Sequence, residues 1–140
     1  MSAKSFLDTN IFVYTFDTRA LQKALRARQL IREAIDSRTG IVSYQVVQEF
    51  FNVALRRFDL PMSVSDAEQY LASVFRPLLA VHSSAALYAQ TLQVVRQHRL
   101  SWYDSLIVAA AAECECTILY TEDLQHGQRV AGIQIVNPFL

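Results

Sequence analysis

Apolar positions along the chain alternate between two regimes, short β-branched runs and longer stretches with apolar residues at helical spacing. The short runs are Lys4–Leu7, Gly40–Ser43, Leu79–Val81, Thr117–Tyr120 and Ile133–Val136. They are mostly apolar throughout, as strands are when helices cover both faces of a sheet. Leu21, Leu25, Ile31 and Ile35 mark a helix over 20–37, with Arg19, Lys23 and Arg26 along its polar side. Val46, Phe50 and Val53 share one face of a second helix, from Ser43 to Arg57. Ser65-Asp66-Ala67-Glu68 has the form of a capping box opening a third helix, which Pro77 is expected to stop. Ser83–His98 predicts a fourth, and Ser101-Trp102-Tyr103-Asp104 opens a fifth that runs to about Cys114. Strand alternating with helix predicts an α/β fold around a mainly parallel, five-stranded sheet. No repeat, low-complexity segment or linker breaks the pattern, so residues 1–140 read as one domain.

Composition narrows the class. With 52% apolar and 19% charged residues, the chain has too much to bury to remain disordered. Its longest uninterrupted apolar run, Leu106–Ala112, falls far short of the ~20 residues of a membrane span. Asp8 interrupts the N-terminal apolar stretch, so no secretory signal is expected. Two cysteines, Cys114 and Cys116, make no disulfide framework and fit a reducing cytoplasm. Thirteen bases balance 13 acids, but unevenly. Residues 19–57 carry eight Lys/Arg against three Asp/Glu, whereas residues 100–140 carry one base against five acids. Eleven of the thirteen bases are Arg, the residue suited to forked phosphate contacts.

In open α/β sheets, ligands bind beyond the carboxyl ends of the strands. Asp8 closes the first strand, and Asp123 follows the strand ending at Tyr120. Glu49 lies two turns into the second helix and Asp104 one turn into the fifth. Four carboxylates from distant segments are therefore expected at one rim. Each also has an ordinary role open to it. Asp8 suits a helix N-cap, Asp104 the far end of a capping box with Ser101, and Asp123 a turn. Glu49 has only Gln45, Val46, Asn52 and Val53 at helical distance, so no local base neutralises it. Two carboxylates about 4 Å apart repel by roughly 4 kcal/mol at an effective dielectric near 20, so a cluster raises its own pKa values or recruits a cation. Oxygen-only ligands favour Mg²⁺ or Mn²⁺. The three histidines and the Cys114-Glu115-Cys116 pair lack zinc-ligand spacing.

Four segments together resemble the PIN-domain nucleases, most closely the VapC-type toxins of bacterial toxin–antitoxin pairs. They are Phe6-Leu7-Asp8-Thr9-Asn10, Ser43 with Glu49 six residues on, Trp102-Tyr103-Asp104-Ser105-Leu106-Ile107, and Leu119-Tyr120-Thr121-Glu122-Asp123-Leu124. The resemblance implies a three-layer α/β/α sandwich and a Mg²⁺-dependent ribonuclease site, with Mn²⁺ as the other candidate ion. Asp8, Glu49, Asp104 and Asp123 would be its acidic quartet, and Asp8 and Asp104 its firmest metal ligands. Asn10, Thr121 and Ser43 match supporting polar positions, and Glu122 lies outside the quartet. Also implied are an RNA substrate, a cognate antitoxin, a homodimer and a cytoplasmic setting.

An acidic pocket cannot draw in RNA unaided, so the basic segment is expected to help. Arg19, Lys23 and Arg26, with Arg28 and Arg32, or Arg56 and Arg57, are candidates for holding phosphates. Trp102 and Tyr103 are candidates for base stacking, with rim packing their plainer role. Two other functions fit parts of the pattern. An aspartate-nucleophile phosphatase begins similarly, but it wants a second Asp where this chain has Asn10, and a downstream Lys. A non-catalytic module docking a basic peptide on the acids would bind no metal and cut nothing.

Overall fold

The computed structural model describes residues 3–140. Phe6 and Leu7 are neighbours in strand β1 (Ser5–Leu7), so their side chains leave opposite faces, yet both are fully buried. Helices must therefore cover both sides of the sheet, and the core lies on both sides of β1. The other strands are β2 (Gly40–Ser43), β3 (Leu79–Val81), β4 (Ile118–Tyr120), β5 (Arg129–Val130) and β6 (Ile133–Val136). Their order is β3-β2-β1-β4-β6-β5. All neighbours pair in parallel except β5, which runs antiparallel to β6.

The α/β class with a mainly parallel sheet is as the sequence predicts, but there are six strands rather than five. The extra one, β5, has only two residues, too few to carry a periodic signal. It turns into β6 through Ala131 and Gly132, whose φ values of 51° and 79° make the two-residue turn that suits a twisted hairpin.

The helices are α1 (Thr9–Tyr14), α2 (Leu21–Ser37), α3 (Tyr44–Ala54), α4 (Val64–Tyr70), α5 (Arg76–Leu78), α6 (Ala85–His98) and α7 (Trp102–Glu113). Several elements start a residue or two later than expected, and the largest differences lie between α3 and α5. The cap of α4 is Ser63, not Ser65: its Oγ accepts from Asp66 N–H at 3.1 Å. Met62 N–H is bonded to Ala54 O at 2.9 Å, which pins the chain so that the first turn begins there. Pro77 does not stop that helix at once. A π-helical turn, Leu71–Phe75, links α4 to α5, with Arg76 N–H reaching Leu71 O. Widening the turn accommodates a proline that can neither donate to, nor approach closely, the carbonyl four residues back. Helix α3 ends at Ala54, where the N–H groups of Arg56 and Arg57 fold back onto Val53 O.

Helix α7 is buried from Ser105 through Ala111, which explains why its sequence shows a continuous apolar run instead of a stripe. Gly40 lets α2 approach β2. A Cβ built there would stand 2.4 Å from Ala34 Cβ and 3.0 Å from Leu78 Cδ2. Strand order reverses between β1 and β4, since β2 and β3 lie to one side and β6 and β5 to the other. The carboxyl ends of β1 and β4 therefore flank the crevice where such sheets bind ligands.

Candidate active site

Asp8 is the first residue beyond β1 and does two things at once. As N-cap of α1 its Oδ1 accepts from Thr9 N–H at 2.7 Å, and its Oδ2 accepts from Thr121 Oγ1 at 2.8 Å. Thr121 is the first residue beyond β4. Its Oγ1 also accepts from Asp123 N–H at 3.1 Å, which shapes the loop carrying that carboxylate. Thr9 Oγ1 donates to Glu49 Oε1 at 3.0 Å, tying α1 to α3. Ser101 caps α7 by accepting from Asp104 N–H at 3.2 Å, which places Asp104 in the first turn.

These connections bring the four acids to one place. Asp8, Glu49, Asp104 and Asp123 all line a single cavity of about 240 Å³, together with Asn10, Gln45 and Tyr103 and the apolar walls Val13, Val53 and Ile107. Among the described residues, no Lys or Arg lines it. Asp8 is the most buried of the four. Its carboxyl is pushed up to about 6, first by burial, then by Asp123 and Glu49; the Thr121 hydroxyl and Thr9 N–H pull the other way. Asp123 is raised too, first by partial desolvation at the cavity wall and then by Asp104 and Glu122.

The donor set is all oxygen, as hard divalent cations require. Each Asp8 oxygen spends one lone pair on the fold and keeps another for a ligand. Among the described residues, no three acid, His or Cys side chains stand close enough to hold one ion together. That arrangement still fits Mg²⁺, which keeps several waters and takes one or two carboxylates.

The supporting residues divide. Asn10 lines the cavity and Thr121 bridges two of its acids. Ser43, the N-cap residue of α3, is buried, and its hydroxyl has no partner and does not line the cavity. Glu122 turns away, accepting from Tyr14 Oη and from Lys23 Nζ at 3.3 Å. Lys23 is thus already paired, over the rings of Tyr14 and Phe139. Arg26 Nε donates to Pro138 O at 3.2 Å. Neither base lines the acidic cavity. Arg19 lies in an adjoining depression with Arg57, whose walls share Val13 and Val53 with the cavity. Tyr103 is in the cavity wall, and Trp102 beside it faces a second depression.

Two wall residues were not singled out from the sequence. Thr9 orients Glu49. Gln45 is buried in the cavity wall, with Nε2 on Tyr103 O at 3.4 Å and Oε1 unpaired. The signal was there: Gln45 is a polar residue one turn before Glu49 on α3, beside the apolar Val46.

A model of the PIN domain matches residues 5–132. Among solved structures, VapC20 of Mycobacterium tuberculosis, a sarcin-ricin-loop-cleaving toxin, is 21% identical. The match covers 86% of this chain and 90% of that one, with a TM-score of 0.60. A toxin–antitoxin complex from Klebsiella pneumoniae matches at 16% identity over 96% of this chain and 98% of its own, TM-score 0.67. DNA-bound VapBC from Salmonella typhimurium matches at 20% identity over 96% and 97%, TM-score 0.64. At such identities these likenesses establish a shared fold. No curated protein matches the sequence.

Proposed function

The chain belongs to the PIN-domain family, and from that premise we propose that it is a Mg²⁺-dependent endoribonuclease, the toxin of a toxin–antitoxin pair. One observation carries the reading: Asp8, Glu49, Asp104 and Asp123, from four separate segments, line one cavity in whose wall, among the described residues, no Lys or Arg stands. Holding four carboxylates around one cavity, with Asp8 buried, is costly without a cation, and a hard divalent ion relieves it. Asp8 and Asp104 would hold Mg²⁺ or Mn²⁺, with Glu49 and Asp123 beside them holding further waters. When bound, the ion supplies Lewis acidity, acidifying an attacking water and offsetting charge on the leaving oxygen.

The protein's own groups do the positioning. The Thr121 hydroxyl and Thr9 N–H fix the Asp8 carboxylate, and Thr9 Oγ1 fixes Glu49. Val13, Val53 and Ile107 wall the cavity with apolar surface, which lowers the local dielectric and strengthens every charge contact inside it. An aspartate-nucleophile phosphatase would need a lysine, and none lines the cavity among the described residues.

An antitoxin partner is supported by the solved neighbours that are toxin–antitoxin complexes. A largely apolar groove of about 640 Å³ suits it, walled by Phe16, Leu21, Ile31, Ile35, Tyr70 and Val74, with Arg28 and Arg32 and the acids Asp17 and Asp36 among them. Leu21 is 66% exposed there, the kind of surface that takes the apolar face of a partner helix. A toxin homodimer beneath the antitoxin and a cytoplasmic setting complete the reading. Among the described residues, no helix is long and apolar enough to cross a membrane.

The test is to purify the chain free of partner and incubate it with total RNA. Discrete fragments are expected with Mg²⁺ and none with EDTA. Asp8→Asn or Asp104→Asn should abolish cutting. Cleavage by both variants at the wild-type rate would refute the site, and an inert wild-type chain would refute the activity.

A further inference from the structure

A second depression of about 650 Å³ adjoins the acidic cavity, sharing Gln45 and Tyr103 as its wall. Its character is different. Tyr44, Tyr88, Trp102 and Tyr103 line it with Gln48, and among the described residues no charged side chain does. Three of these rings are substantially open to solvent, Trp102 at 38%, Tyr88 at 39% and Tyr103 at 65%. The Tyr88 and Trp102 rings lie 6.1 Å apart at a 34° tilt, and the Tyr44 and Tyr88 hydroxyls are 3.3 Å apart. Exposed aromatic faces without charge suit a flat, neutral, heteroaromatic ligand and offer little to a phosphate.

Gln45 stands at the partition. Only its NH₂ can donate to the Tyr103 carbonyl, so that bond decides the amide's orientation and leaves Oε1 as the free group. This acceptor is buried and has no partner, and an unmet buried acceptor calls for an N–H or O–H donor. The 3.4 Å bond to Tyr103 is long, so it holds the amide only weakly.

We infer that this basin seats an unpaired nucleobase next to the phosphodiester to be cut, stacked on Trp102 and Tyr88, with Gln45 Oε1 accepting from a base N–H. The inference rests on the reading of the acidic cavity as an RNA-cleaving site, which it deepens by assigning a base-seating subsite to Trp102, Tyr88 and Gln45 beside it. A paired base has both its stacking faces and its hydrogen-bonding edge already engaged. Duplex RNA therefore cannot fill the basin.

Trp102 is the only tryptophan in the chain, so its fluorescence reports on the basin alone. The full chain carrying Asp8→Asn, to suppress cleavage, is titrated with a short single-stranded RNA and with the same oligonucleotide made abasic. The base-containing RNA should quench Trp102 and bind at least tenfold tighter than the abasic one. Tyr88→Ala, at an exposed position outside the acidic cavity, should shrink that advantage about tenfold without changing abasic binding, and Gln45→Leu should also shrink it. Equal binding and equal quenching by the two oligonucleotides would overturn the inference. So would aromatic variants that leave the base advantage intact and shift only the monomer–dimer balance in sedimentation, since a second copy of the chain would then cover the basin. Cleavage by wild type without base-dependent quenching sinks the basin and spares the nuclease. Base-dependent quenching by a chain that never cuts does the reverse.

Discussion

Thr121 Oγ1 donates a 2.8 Å hydrogen bond to Asp8 Oδ2 across 113 residues of sequence. The same oxygen accepts from Asp123 N–H. One hydroxyl therefore joins the carboxyl ends of β1 and β4 and sets two of the four acids in relation to each other.

Thr121→Val keeps the shape and removes this bond. The buried Asp8 carboxylate loses a donor, a cost of about 1–3 kcal/mol, and the loop bearing Asp123 loses its tether. RNA cleavage at saturating Mg²⁺ should fall tenfold or more, and Thr121→Ser should restore most of it. An unaltered rate in Thr121→Val would show that the hydroxyl orients nothing.

Asp8 also makes stability depend on pH when metal is absent. Its folded pKa, raised from 3.8 to about 6, means that the native state binds this proton more tightly than the unfolded chain does. The associated stability is fully present below about pH 4 and is lost as pH rises through 6, a span of about 3 kcal/mol at ~1.4 kcal/mol per unit. Urea melts in EDTA should show Asp8→Asn to be more stable than wild type at pH 7.5, with the gap closing toward pH 4. Mg²⁺ should narrow the gap at pH 7.5 by stabilising wild type. A gap independent of pH would contradict the buried-carboxylate account.

Neighbouring acids in one loop should behave oppositely. Glu122 is held by Lys23 and Tyr14 outside the cavity, whereas Asp123 is in its wall. Asp123→Asn should cut cleavage at least tenfold, while Glu122→Gln should leave it within about twofold. The Lys23–Glu122 pair is partly solvated, so Glu122→Gln should cost no more than about 1 kcal/mol of stability in a denaturant melt. The reverse ranking of activities would mean that the loop presents the other carboxylate.

Gly40→Ala tests the approach of α2 to β2. The added methyl meets Ala34 Cβ at 2.4 Å and Leu78 Cδ2 at 3.0 Å, an overpacking that costs about 1–3 kcal/mol. A lowered urea midpoint with an unchanged m-value is expected. Ala34→Gly in the same chain should recover part of the loss.

Much of the fold was legible because its signals are local. β2, β3 and β6 have the expected residues, and α2 starts one residue later than its apolar spacing suggests. The misreadings have local causes as well. β5 is too short for a period, and Ser63 and Ser65 both stand three residues before an acid, so spacing alone could not choose between them.

The site divides along the same line. Asp8, Glu49, Asp104 and Asp123 stand out in the sequence because each lies at a strand end or helix start, or on a helix face without a neighbouring base. Those are properties of neighbours within a turn or two of chain. Tertiary structure alone decided that Lys23 pairs with Glu122, 99 residues away, and so does not line the acidic cavity. It alone decided that Gln45 divides the acidic cavity from an aromatic basin. Adjacent side chains leave the backbone in different directions, and which direction meets a partner depends on residues about a hundred positions away. Local patterning decides which groups carry charge; only packing decides what each charge faces.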